Sequence, residues 1–378
     1  MYRFGFPTII QFGAGVRKEI PGFLKSKNVK RPLLVTDKGV GALPICRELE
    51  KTLKAAGLEV ATFSGVWGNP VKSQVEAGAK AYRDHGADSL IGMGGGAALD
   101  VTKAIALLAH HEGDLFDYEG SNPKAKPIDG PVPMWVAVPT TSGTGSEVGR
   151  SAVISDEKTH IKKFLFSPKF LAASIFADPE LTLGLPAPMT AATGMDALTH
   201  CVEAYLAKDY HPICDGIALE GVRLASQSLV KATKEPQNVE ARGTMMMVSI
   251  MGGIAFQKDL GVTHSCAHAL GTAVDMHHGL ANGVMIDYAL KINLGVRADR
   301  FKNLAMTVGL KDQSGDGFLQ WLRSLKAELG IPKNLTEAKV GRDKLNELVD
   351  LAFQDSCHEY NPRPVTKEDF RSIFNEAF

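Results

Sequence analysis

The sequence is short of several things at once. It has five cysteines in 378 residues (Cys46, Cys201, Cys214, Cys266 and Cys357), and no two of them form a Cys-x-x-Cys pair. That argues against a disulfide framework or a thiolate zinc cluster and fits a reducing cytoplasm. Neither charge is in surplus: Lys+Arg and Asp+Glu are both 42, for a formal net charge of +0. A neutral chain has no bulk attraction for nucleic acid or an anionic membrane, so any recognition must rest on local sites. The longest apolar stretch, Met245 to Phe256, is interrupted by Ser249, Gly252 and Gly253. It falls short of the ~18–20 residues that cross a bilayer. The opening Met1-Tyr2-Arg3-Phe4 lacks the apolar run of a secretory leader. The expectation is a cytoplasmic protein with neither a nucleic-acid nor a membrane partner.

What is present falls into two halves with different periodicity. Up to about residue 185, short β-rich runs alternate with helical patterns. Thr8–Phe12, Pro32–Thr36, Glu59–Phe63, Ser89–Gly92 and Met134–Val138 read as strands, and Pro44–Ala56, Gln74–His85 and Ala98–His110 as helices. Such alternation predicts an α/β domain with a parallel sheet over residues 1–185. Beyond Pro186 the pattern is helical: Met189–Ala207, Ile213–Lys231, Asn238–Gln257, Leu280–Leu294, Asp316–Leu329, Arg342–Gln354 and Lys367–Ala377. Residues 186–378 therefore read as an all-α domain.

Two loops of the first half suit a phosphate. Strand Ser89–Gly92 runs into Gly94-Gly95-Gly96 and then into a helix carrying Ala97, Asp100 and Lys103. Glycines at a strand-to-helix turn let backbone N–H groups approach an anion, and the helix N-terminus adds a favourable dipole. After Met134–Val138, every residue from Thr140 to Ser146, including Thr141 and Thr144, is glycine or bears a hydroxyl. Asp37, directly after strand Pro32–Thr36, is placed to bind the adenosine ribose hydroxyls and repel a 2′-phosphate; a plain turn aspartate before Gly39 is its other reading.

The second half holds an uneven set of histidines. Asp196 and His200 are spaced i, i+4 within a helical pattern, so they leave one face. His264, His268, His277 and His278 follow within fifteen residues. Imidazoles and a carboxylate suit Fe²⁺, Zn²⁺, Mn²⁺ or Co²⁺, although such spacing also arises in hydrogen-bonded clusters.

Taken together, these motifs resemble the iron-containing (group III) alcohol dehydrogenase family over essentially the whole chain. The matching pieces are Phe12-Gly13, Gly94–Lys103, Pro139–Glu147, Asp178-Pro179 and Asn361-Pro362-Arg363. The resemblance implies a dehydroquinate synthase-like architecture and hydride transfer between NAD(H) and a small primary alcohol or aldehyde. It implies one divalent metal, Fe²⁺ with Zn²⁺ as another occupant, held by Asp196, His200, His264 and His278. The family's Pro-His-Gly appears as His277-His278-Gly279, so two histidines contend for the last position, and the fourteen-residue register from His264 favours His278. His268 falls at the family histidine beside the nicotinamide and is the candidate proton relay. Asn69, in Gly68-Asn69-Pro70, and Lys163 fall at further cofactor positions. Ala97 and Gly149 replace a Ser and a Thr, removing two side-chain hydroxyls near the cofactor. Ser151, Phe256, His277 and Cys357 fall at substrate-cleft positions, and a homodimer or larger homo-oligomer is implied. Arg150 and Arg363 leave room for an anionic short-chain aldehyde. A dehydroquinate synthase-like lyase and a non-catalytic NAD or metal sensor are the rival readings on the same scaffold.

Overall fold

The fold is that of a computed structural model, which describes residues 5–6, 8–120, 122–159 and 161–378. Met1–Phe4 therefore lie outside the described residues. The chain forms two compact units, one of residues 5–141 and 146–182, the other including residues 142–145 and 183–378.

The first unit is built on strands β1 (Ile9–Phe12), β2 (Pro32–Asp37), β3 (Ala61–Val66), β4 (Ser89–Gly94), β5 (Trp135–Pro139), β6 (Ser151–Ser155), β7 (Lys162–Phe166) and β8 (Ser174–Ala177). Its helices are α1 (Ile20–Ser26), α2 (Lys38–Ala42), α3 (Pro44–Ala55), α4 (Lys72–His85) and α5 (Gly96–Leu108). Six strands make one parallel sheet in the order β1-β8-β5-β4-β2-β3. β4 and β5 are buried at every residue, as expected of parallel strands covered on both faces. β6 and β7 form a separate antiparallel pair. Neither these two nor the four-residue β8 is anticipated from the sequence, because each is too short or too polar at its ends to carry a period-2 signal.

Strand order decides where a ligand can enter. From β2 the chain steps outward to β3, then crosses back so that β4 lies on the other side of β2. The carboxyl ends of β2 and β4 thus flank a topological switch point, where open α/β sheets leave a crevice. Asp37 ends β2 and Gly94 ends β4.

The second unit is helical: α6 (Ala187–Leu206), α7 (Pro212–Lys234), α8 (Val239–Ala255), α9 (Val262–Val274), α10 (His278–Leu290), α11 (Ala298–Thr307), α12 (Gly315–Leu329), α13 (Leu345–Gln354) and α14 (Lys367–Ala377). α6 packs against α7, α8 and α10, and every residue of α6 from Thr190 to Leu206 is buried. A helix apolar around most of its circumference belongs at the centre of such a bundle. No helix among the described residues is long and apolar enough to cross a membrane.

A buried ionic cluster ties α5 to the loop before β6. Lys103, with no exposed surface, donates to Ser146 Oγ at 2.7 Å, to the Ser151 carbonyl at 2.8 Å and to Asp100 Oδ1 at 3.2 Å. Asp100 also accepts from Ser146 Oγ at 2.6 Å and from the Val153 amide at 3.1 Å. Neighbouring Glu147 is buried, with no partner for its Oε1. Burial pushes its carboxyl up to about 7, against the opposing pull of its own backbone amide and Lys103. A carboxyl that holds its proton longer in the folded state contributes stability that is complete at acid pH and lost as pH rises towards 7. Replacing it with a neutral amide removes that dependence. Glu147→Gln is expected to gain about 3 kcal/mol on the wild type between pH 4.5 and pH 8. Urea unfolding of both proteins across that range measures it; parallel pH profiles would refute the assignment.

Candidate metal centre and cofactor site

Three helices bring the second half's histidines together. Asp196 and His200 lie one turn apart on α6, His264 and His268 one turn apart on α9, and His278 is the first residue of α10. The Nε2 atoms of His200, His264 and His278 lie 4.0, 3.9 and 3.4 Å from one oxygen, Asp196 Oδ1. One donor atom from each of the four residues falls within 4.8 Å of the others. Two of these separations are too long for hydrogen bonds, and the third, 3.4 Å, is longer than a normal one. They are close to the ~3.4 Å spacing of ligands bonded at ~2.1 Å to a tetrahedral ion.

The chemistry of the donor set agrees with that geometry. Burial pushes the His200 imidazole down to about 4, against the pull of Asp196, so at neutral pH it is an uncharged lone-pair donor. His264 Nδ1 lies 2.7 Å from Glu203, which places its proton on Nδ1 and a lone pair on Nε2. Asn282, one turn after His278, has its amide nitrogen 2.8 Å from Asp196 Oδ1, 3.2 Å from His264 Nε2 and 3.3 Å from His278 Nε2. Two amide protons cannot serve three acceptors, and the buried Asn282 Oδ1 has no partner of its own. The pocket is rich in lone pairs and short of positive charge, so a divalent cation fits it.

Glu203 does more than orient one ring. It accepts from the backbone N–H groups of Gly261, Thr263 and His264 at 3.2, 2.7 and 3.1 Å, and so satisfies the N-terminus of α9. Burial would raise its pKa, but the hydrogen bonds and charge of His264, with those of Thr263, outweigh it and keep the carboxyl below its usual range. Gly279 performs the equivalent service for α10. A Cβ there would lie 2.4 Å from the Ala192 carbonyl and 3.2 Å from Asp196 Cβ, so only glycine lets α10 start against α6.

His268 stands beside this group, its ring 5.2 Å from that of His278. Its Nδ1 is 2.7 Å from Asp355 Oδ2. Asp355 also accepts from Ser265 Oγ at 2.8 Å and the Cys357 amide at 2.9 Å. Burial opposes ionisation of Asp355, but His268 and these hydrogen bonds hold it far below the usual carboxylate range. Phe256 tilts against His200 at 5.2 Å between rings. His277 is exposed and caps α10, its Nδ1 accepting weakly from the Leu280 amide at 3.4 Å.

In the sheet unit, Gly94 has φ 151°, and a Cβ on it would lie 2.7 Å from Ala98 Cβ and 3.0 Å from Asp37 Oδ2. Glycine is required for the chain to turn there. Gly95 is the N-cap of α5, leaving the helix's first amides pointing out of the turn, and Thr141 Oγ1 is 3.2 Å from where a Cβ on Gly95 would sit. Gly96 and Ala97 are partly exposed in the first turn of α5. Thr140 is buried and its amide closes onto the Gly94 carbonyl at 3.0 Å. Asp37 caps α2 by accepting from the Val40 amide at 2.9 Å through Oδ1. The glycine turn, Thr141 and Asp37 make a cradle that a Cβ would fill, and a pyrophosphate with its ribose fits it.

Other expected cofactor residues are placed differently. Asp100 and Ser146 are committed to the buried Lys103. Asn69 is exposed after β3, and Lys163 lies on β7 with its Nζ 4.0 Å from Glu119. Thr144 is partly exposed and belongs with the helical unit, whereas Ser151, at the start of β6, offers its carbonyl to Lys103. Arg363 is paired with Asp369 at 2.6 Å, a structural role. Glu203, Asn282 and Asp355 are the residues that sequence reasoning passed over. Glu203 shares the α6 stripe of Asp196 and His200, and Asn282 follows His278 at i+4, so helical spacing could have exposed both. Asp355 carries no such signal.

Residues 7–179 match the model of the iron-containing alcohol dehydrogenase family, and residues 190–378 match that of the Fe-containing alcohol dehydrogenase family's C-terminal region. The chain belongs to the iron-containing alcohol dehydrogenase family. It is thus an oxidoreductase. It is 40% identical over 361 residues to 4-hydroxybutyrate dehydrogenase of Cupriavidus necator, covering 92% of each chain. It superposes on a 1,3-propanediol oxidoreductase with a TM-score of 0.95 at 34% identity over 100% of both chains. A sulfoacetaldehyde reductase from Bifidobacterium kashiwanohense in complex with NAD⁺ aligns with a TM-score of 0.92 at 28% identity, over 100% of this chain and 98% of that one.

The adjacent histidines give a direct test. His278→Ala should lose its metal, while His277→Pro should keep it, because His277 has φ −55°, close to the angle proline imposes. The lost cap costs about 1 kcal/mol. Elemental analysis of the two purified variants decides, and a metal-free His277→Pro beside a replete His278→Ala reverses the assignment.

Proposed function

We propose that this member of the family transfers a hydride between NAD(H) and a small primary alcohol or aldehyde, with one divalent cation, Fe²⁺, at Asp196, His200, His264 and His278. The observation that carries the metal assignment is the approach of three imidazole Nε2 atoms to Asp196 Oδ1 at 3.4–4.0 Å. When bound, the cation supplies Lewis acidity, and NAD⁺ supplies the hydride acceptor. Asp196 provides the one negative charge of the ligand set, and Glu203 holds the His264 proton on Nδ1. Phe256 covers His200 from one side and limits water there. Asp355 holds the His268 proton on Nδ1, so Nε2 is the atom that takes up the alcohol proton and returns it to an aldehyde. The amides at the start of α5 receive the pyrophosphate, and Asp37 receives the adenosine ribose. Four converging donors plus a carboxylate-held imidazole support catalysis over a sensor role. The test is a panel of short alcohols and aldehydes with NAD(H) on anaerobically purified protein; equal turnover after the metal is stripped would remove the cation from the mechanism.

Within this reading two substrate classes compete. The relative acting on 4-hydroxybutyrate favours a carboxylated alcohol, and the propanediol enzyme a neutral one. The same panel, run with 4-hydroxybutyrate beside 1,3-propanediol, separates them by kcat/KM. The protein is also proposed to be cytoplasmic and dimeric. β1 is an edge strand of the sheet and exposes Ile9 and Phe12 at 65% and 47%. Edge strands with apolar residues are usually covered. Light scattering should give twice the chain mass, and a monomer would refute it.

Asp37 sets a further expectation. Its carboxylate beside the ribose should exclude NADP(H) by like-charge repulsion. Asp37→Gly should narrow the NADH preference while costing only a few tenths of a kcal/mol from the altered α2 cap. A wild type that uses NADPH as well as NADH would contradict this role.

A further inference from the structure

Of the five cysteines, four are buried and Cys357 alone is partly accessible. It lies with His268 and Asp355 in a group whose donor atoms are all within 4.8 Å of one another. His268 and Asp355 are themselves only 15% and 12% exposed. The set offers one nitrogen, one oxygen and one sulfur. We propose that His268, Asp355 and Cys357 form a second site, for a thiophilic divalent cation such as Zn²⁺, whose occupation inhibits the enzyme.

The geometry and the ligand types converge on that class of ion. A tetrahedral zinc bonded to sulfur at ~2.3 Å and to nitrogen at ~2.1 Å sets those ligands about 3.5 Å apart. Donors within 4.8 Å reach that spacing by side-chain adjustments of about 1 Å. Three protein ligands leave a fourth position for water, and a thiolate in the set disfavours Mg²⁺ and Ca²⁺. Asp355 is already fixed by Ser265 Oγ at 2.8 Å and the Cys357 amide at 2.9 Å, and Ser265 Oγ accepts from the His358 amide at 3.0 Å. The carboxylate is therefore pre-positioned. On binding, the Cys357 thiol gives its proton to water, and the His268 proton moves from Nδ1 to Nε2 by exchange with water, so that the neutral ring presents Nδ1 to the cation in place of its hydrogen bond to Asp355. One thiolate, one carboxylate and one neutral imidazole then balance the two charges of the cation. The site stands on these residues alone. Its inhibitory effect rests on the role of His268 proposed above, because a cation on His268 takes the proton-carrying ring out of use.

Cadmium is the probe, since its thiolate complexes absorb in the ultraviolet. Iron-loaded protein is titrated anaerobically with Cd²⁺ while absorbance, iron content and iodoacetamide labelling of Cys357 are followed. The expected result is one added equivalent per chain, a thiolate-to-metal absorption, retained iron and loss of Cys357 labelling. Cys357→Ser should lose the absorption and the added equivalent. His264→Ala, which disables the first centre, should keep both, so failure of one site is distinguishable from failure of the other. Zn²⁺ should inhibit the wild type with its iron retained, and that iron-retaining inhibition should be lost in Cys357→Ser. Absorption that survives Cys357→Ser overturns the proposal, as does cadmium uptake matched by iron release with Cys357 still open to labelling. The labelling readout needs no variant, so misfolding of Cys357→Ser leaves the proposal open to refutation.

Discussion

The approach of three imidazoles to a single carboxylate oxygen is the constraint around which the helical unit is arranged. Lone pairs brought that close, in a pocket where Asp196, His200 and His264 are all buried, repel one another unless a positive charge joins them. The surrounding helices must hold them there regardless. Glu203 does so from α6 by tying down the first amides of α9, and Gly279 does so by letting α10 begin against the Ala192 carbonyl. Each device acts on a helix terminus, where unpaired backbone groups make position adjustable and a single residue can fix it.

The three helices also solve the problem in the same way. Each contributes a donor to the centre and a second polar residue one turn later: Asp196 with His200, His264 with His268, His278 with Asn282. A separation of four residues keeps both side chains on one face. The first residue can then point into the pocket while the second closes its edge. In α6 both members are donors; in α9 the second is the candidate proton carrier; in α10 it is an amide that donates to Asp196.

This repetition explains what could be read from the sequence. Asp196 and His200 sit in a strongly helical pattern, and their spacing already places them on one face. The alternation of strands and helices up to residue 185 likewise foretells a parallel sheet, because buried parallel strands and their crossovers differ plainly in period. α9 carries no amphipathic signal because every residue of its first half, Val262–Ala267, is buried, which leaves no polar stripe to betray a period, and its start is capped from another helix rather than by its own sequence. Asp355 is invisible for a related reason: its partner His268 lies 87 residues away. The roles of Asp100 and Ser146 were legible only as polarity near a phosphate loop. Their commitment to Lys103 depends on a lysine folded inward beneath that loop, which no local pattern records.

The balance of donors and acceptors separates structural from chemical use of buried polar groups. Lys258 meets Asp215 at 2.5 Å, Lys326 meets Asp287 at 2.6 Å, and Arg242 donates to Thr190 at 2.7 Å and to the Leu185 carbonyl at 3.1 Å. In each case a cation meets acceptors, and the group is satisfied where it stands, as burial demands. Around Asp196 the ratio is reversed. A carboxylate and imidazole nitrogens that face it as acceptors share one amide, whose own carbonyl is left without a donor. A cluster evolved for stability alone would have been relieved by one more lysine or arginine. Its excess of lone pairs is what a divalent cation requires, and it is the physical reason to read this cluster, rather than the buried lysines, as the centre of the chemistry.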